Sequence, residues 1–171
     1  MKNLIFSTLF VVAIGLIIAV GVSAANEASV TATVTVQNIA VSLNRSSFAY
    51  GTMASNTASS TLVLWGGAGI TATNDGNVTS DFDIYGANTS NWSLAGSAGS
   101  DAYIHKFCND TDNDCTTPPT SYTALTTTPQ TLKNNIATSG TCAFQLQITT
   151  PNPSTVFTQQ SASVTVQASA S

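Results

Sequence analysis

The chain has 171 residues, of which only 7 % are charged, and four Lys and Arg against eight Asp and Glu leave a formal net charge of −4. So sparse and acidic a charge excludes nucleic-acid binding, which needs clustered cations to displace counterions, and it offers nothing to an anionic membrane surface. Solubility must come from Ser, Thr, Asn and Gln, a composition common in extracellular β proteins and extended surface structures and rare in cytosolic enzymes.

At the amino terminus, Lys2 is followed by an apolar run over residues 4–22 and then by Val22-Ser23-Ala24, with small residues where signal peptidase reads them. This predicts a signal peptide over residues 1–24, cleaved after Ala24. The run is also about as long as a spanning helix, roughly 20 residues, so a retained anchor is the alternative. In a third reading, a pilin-like subunit keeps the helix in a filament core, although Met1-Lys2-Asn3 lacks the basic stretch ending in Gly or Ala at which such leaders are cut. Cleavage leaves about 147 residues, 25–171, enough for one domain with a real core.

Beyond the leader, Val30, Ala32, Val34 and Val36 alternate with Thr31, Thr33 and Thr35, which predicts a strand over 28–37 with one buried face. The phase shifts after Gln37-Asn38, where Ile39, Val41 and Leu43 form a second apolar set, so a bulge or a crossing between sheets is expected at Asn38. Leu62-Val63-Leu64-Trp65 reads as a strand buried on both faces, broken by Gly66-Gly67-Ala68-Gly69. Residues 70–73 and 82–85 flank Asn74-Asp75-Gly76-Asn77, whose Asp-Gly step predicts a hairpin.

Further short strands are predicted at 92–94, 103–107, 122–125, 130–132, 142–149 and 163–167, with Phe144, Leu146 and Ile148 on the core side. Nothing after the leader shows a 3.6-residue apolar stripe of helical length. About eight to ten short strands in one domain imply two packed antiparallel sheets, an all-β, immunoglobulin-like β-sandwich.

The string Ile70-Thr71-Ala72-Thr73-Asn74-Asp75-Gly76-Asn77-Val78-Thr79 resembles the "T-N-x-G-N-V" hairpin of many exported immunoglobulin-like modules of bacterial and archaeal surface proteins. With Asn91-Trp92, His105-Lys106-Phe107-Cys108, Ala124-Leu125-Thr126-Thr127 and the run from Leu146 to Pro151, the chain is similar to small secreted proteins of candidate-phyla-radiation bacteria. The resemblance implies a fold and a location and transfers no catalytic residue.

Three cysteines in an exported chain point to a disulfide, and of the three pairings Cys108 with Cys115 closes the shortest loop. Cys142 is then an inert thiol if it faces the core and a link between subunits if it is exposed. The loop between the paired cysteines carries Asp110, Asp112 and Asp114, which could turn towards one calcium ion, yet it lacks the glycine and the closing acid of an EF-hand. A solvated turn is the competing reading.

His105, the single histidine, reads as structural or surface rather than as a general base, and Asp81 and Asp83 as the solvent side of a strand. No nucleophile elbow, metalloprotease helix or phosphate loop is present, so no enzyme and no cofactor-binding residue is expected. Asn44, Asn77, Asn88, Asn91 and Asn109 each begin a glycosylation sequon.

Trp65 and Trp92 read as packing residues, although Trp92 with Tyr85 keeps a glycan-binding or adhesion module open as an alternative. The leading expectation is a non-enzymatic extracellular or cell-surface structural protein, a filament subunit that adds strand 28–37 to a neighbour. Its partners would be its own copies, or other surface proteins and glycans. It would meet the membrane only through an uncleaved amino terminus.

Overall fold

The computed structural model describes residues 27–67, 69–116 and 121–171, so the signal peptide expected over residues 1–24, like its expected cleavage after Ala24, lies outside the described residues. The described residues hold ten strands and one short helix: β1 (Val41–Leu43), β2 (Ala58–Ser60), α1 (Thr61–Trp65), β3 (Ile70–Asn74), β4 (Ser80–Gly86), β5 (Ser93–Leu94), β6 (Ala102–Asn109), β7 (Thr123–Ala124), β8 (Gln130–Ile136), β9 (Thr141–Thr149) and β10 (Val164–Ala170). One sheet runs β1-β3-β9-β6-β5, with β2 on β9 and β7 on β6. The other runs β10-β4-β8. All pairings are antiparallel except β5 on β6.

Period-2 alternation is what builds the core. In β4, Phe82 and Ile84 are fully buried while Asp81 and Asp83 face outward, as their spacing predicts. In β9, Cys142, Phe144, Leu146 and Ile148 share the inner face. The register brings Ile70 opposite Phe144 on one side and Phe107 opposite Leu146 on the other. One apolar cluster joins these residues to Phe82 and Ile84 of β4 and Leu132 and Ile136 of β8, with Val164, Val166 and Ala168 of β10 packed at its border. Residues of both sheets thus enclose one interior, a sandwich-like all-β arrangement.

Two local expectations are corrected. The Asp75-Gly76 step does not close a hairpin, because β3 belongs to the first sheet and β4 to the second, so the chain crosses between layers there. Buried Asn74 sets the bend: its Oδ1 accepts from Gly76 N at 2.9 Å and its Nδ2 donates to Val78 O at 2.8 Å and Ile136 O at 2.9 Å. Gly76 is needed for room, since a Cβ would stand 2.5 Å from Asn38 O.

The second correction is residues 62–65, which lie in α1 rather than in a strand. Ser60 caps the helix by accepting from Val63 N, Gly66 adopts the left-handed conformation at φ 61°, and Gly67 N donates to Leu62 O at 3.0 Å. Thr61 locks the helix onto β9 by donating to Gln145 Oε1 at 2.6 Å and accepting from Leu146 N at 2.9 Å. A four-residue apolar run has no period long enough to reveal this.

Internal contacts divide the chain into two units, residues 1–35 and 36–171, and every strand among the described residues belongs to the second. In the first, the described residues 27–35 form neither helix nor strand.

Candidate functional site

The strand expected over 28–37 with one buried face is not formed: the segment carries the cleanest alternation near the start of the chain, yet it pairs with no strand among the described residues and has no sheet to cover its valines. Val30 is 93 % exposed and Val34 91 %. Val36, at the start of the second unit, is 79 % exposed. The bulge or sheet crossing expected at Asn38 is not formed, because no strand among the described residues precedes it; instead Asn77 donates through Nδ2 to Val36 O at 2.8 Å, accepts through Oδ1 from Asn38 N at 2.8 Å, and donates its backbone N–H to Asn38 O at 3.0 Å. Asp75 N then donates to Ala40 O at 3.0 Å, and the chain enters β1. Exposed valines in a segment of strand-like alternation that has no ladder partner among the described residues are what strand exchange draws on.

The sheets end in edges of different character. β1 and β5 are short. β8 is irregular: its register against β4 slips on either side of Phe82, Asn135 has φ 57°, and Lys133 stands on it. β10 pairs with β4 in unbroken register from Val164 opposite Gly86 to Ala170 opposite Ser80.

The second candidate is the disulfide loop. Cys108 and Cys115 are bonded, with Cα atoms 5.9 Å apart, as the short-loop argument predicts. Both are buried beside Tyr122, whose hydroxyl donates to Cys115 O at 3.2 Å. The three carboxylates turn to separate partners. Asp110 Oδ2 accepts from Gln145 Nε2 at 3.0 Å, Asp112 pairs with Lys133 Nζ at 2.5 Å and accepts from Asn109 Nδ2 at 2.8 Å, and Asp114 caps Thr116.

Lys133 and the hydrogen bonds from Thr116 hold the Asp112 and Asp114 carboxyls below the usual range. Among the described residues no trio of His, Cys, Asp or Glu is disposed around a cation. Because Asp110, Asp112 and Asp114 each already hold a protein partner that calcium would have to displace, millimolar calcium is expected to leave the melting temperature unchanged, since only a ligand of the native state raises it. A calcium-dependent rise in a scanning-fluorimetry titration would show that the loop rearranges around the ion. Beside the loop, an open polar groove of about 330 Å³ is lined by Asn109, Asp112, Asn113, Gln130 and Thr131 among others.

The other residues marked in the sequence have these surroundings. Cys142 is fully buried and unbonded, and burial pushes its thiol pKa up. His105 is also buried, with Nε2 3.0 Å from the Tyr50 hydroxyl, and burial depresses its pKa to about 4. Neither Asp81 nor Asp83 approaches it by a hydrogen bond. Asp81 accepts from Asn135 N and Ser171 Oγ, and Asp83 from Gln167.

The Arg45 guanidinium lies 4.2 Å from the centre of the Trp65 ring and Trp92 packs on Tyr103, so each indole already has a protein neighbour. Among the sequons, Asn109 is buried and bonded to Asp112 and Leu132 O, and Asn77 Nδ2 is held by Val36 O. Asn44 and Asn88 accept from Thr71 N and Leu94 N through Oδ1, and Asn91 is exposed.

Sequence reasoning missed Gln145, fully buried yet satisfied by Thr61, Gly67 O and Asp110, which ties helix, disulfide loop and β9 together. The only hint was its place between Phe144 and Leu146, on the face of β9 opposite their apolar row. No protein-family model, curated protein or solved structure matches this chain.

Proposed function

We propose that this is a non-enzymatic, extracellular or cell-surface structural protein of the immunoglobulin-like sandwich type, a filament subunit that assembles by adding residues 28–37 to the sheet of a neighbouring copy. The observation that carries the reading is the exposure of Val30 and Val34 in a segment whose alternation is that of a half-buried strand. Burying those valines on a neighbour gives roughly 1.5–3 kcal/mol each, besides a ladder of main-chain hydrogen bonds. The Cys108–Cys115 disulfide is compatible with an oxidising, extracellular location, and the polar, weakly charged composition suits a surface structure.

Negative-stain microscopy of the purified protein is expected to show ordered fibres for the native chain and dispersed particles for Val34→Asp, which places a charge where an apolar side chain must be buried. Dispersed native particles at every concentration would remove the reading. Equal fibre formation by Val34→Asp would remove the role of this segment.

A further inference from the structure

We infer that the acceptor for residues 30–36 is the outer edge of β10 in a second copy. This deepens the strand-addition reading above and rests on it.

A donated strand needs an edge that is long, regular and uncharged, since charge, bulges and brevity are how proteins keep edges from pairing. β1 spans three residues and β5 two. β8 has length but carries Lys133, slips register around Phe82 and contains the positive φ of Asn135. β10 has none of these defences: Val-Thr-Val-Gln-Ala-Ser-Ala runs seven residues in continuous register, without charge, proline or glycine.

The donor fits this edge in length and rhythm. Val30-Thr31-Ala32-Thr33-Val34-Thr35-Val36 is also seven residues long and equally uncharged, so pairing meets no repulsion. In β10, Val164, Val166 and Ala168 pack only partly against the interior, while Thr165, Gln167 and Ser169 face solvent. A further strand in phase with β10 would set its four apolar side chains beside Val164, Val166 and Ala168 and its threonines beside the polar row. It would extend both faces of a sheet that has three strands among the described residues.

The test places a benzoylphenylalanine photocrosslinker at Thr33 in the full chain. Equal amounts of ¹⁴N and ¹⁵N protein are mixed before assembly, irradiated, digested and sequenced by mass spectrometry. Links between residue 33 of one copy and residues 164–170 of the other are expected. The double variant Gln167→Lys with Ser169→Lys should raise the critical concentration for assembly about tenfold, with an unchanged circular dichroism spectrum.

Intact fibres whose links fall on β8 or β1 would overturn the β10 assignment and leave strand addition standing. Links confined to single copies would show that the segment closes on its own domain, and failure of the native chain to assemble would remove both readings.

Discussion

Phe144→Ala is expected to lower the free energy of unfolding by about 4 kcal/mol, within the 3–5 kcal/mol that loss of a buried phenylalanine costs when its surroundings cannot collapse into the space. Collapse is restricted at this position. Phe144 is 1 % exposed at the middle of β9, the central strand of its sheet, with β3 hydrogen-bonded on one side and β6 on the other. Its cluster also draws on β4 and β8 of the second sheet. Urea unfolding followed by tryptophan fluorescence measures the change. A loss below about 1 kcal/mol would mean that the two layers do not close over this ring.

A second large effect is a loss of about 3 kcal/mol as the solution is taken from pH 7 to pH 4. His105 is the single histidine, and burial depresses its pKa from 6.5 to about 4. The unfolded chain therefore binds a proton near pH 6.5 that the folded chain refuses until about pH 4. Stability is full above 6.5 and declines as pH falls through that window, each pH unit being worth about 1.4 kcal/mol.

The carboxylates of Asp81, Asp101, Asp112 and Asp114 have folded pKa values below the usual 3.8. Their contribution is present above that value and lost below it, so the two windows separate. His105→Gln should flatten the profile between pH 7 and 4. Independently of that variant, an NMR titration of the native imidazole should give a midpoint near 4, and a midpoint at 6.5 would overturn the argument.

The long strands were legible because each buries one face and so writes a two-residue period. The alternation of 143–148 places Phe144, Leu146 and Ile148 inward, as found, and Phe82 and Ile84 separate from Asp81 and Asp83 in the same way. α1 was not legible, because its identity depends on a capping Ser60, two glycines and the grip of Gln145 on Thr61, a contact spanning 84 residues. The β3–β4 connection misled for a related reason. Asn-Asp-Gly reports a tight bend and not whether the next strand stays in the sheet, and Asn74 reaching Ile136 O decides that.

At the candidate site, the disulfide followed from loop length alone. The separate engagement of Asp110, Asp112 and Asp114 required Gln145, Lys133 and Thr116, two of them distant in sequence.

The buried state of Cys142 has a practical reach. With Cys108 and Cys115 joined, it is the single sulfhydryl a reagent can modify, and it is fully covered beside Asn109 at the start of β9. Alkylation must wait until the interior opens, so the rate at which a maleimide is consumed becomes a clock for breathing of the layered structure. The native chain thereby carries its own gauge of kinetic persistence, readable without any added label.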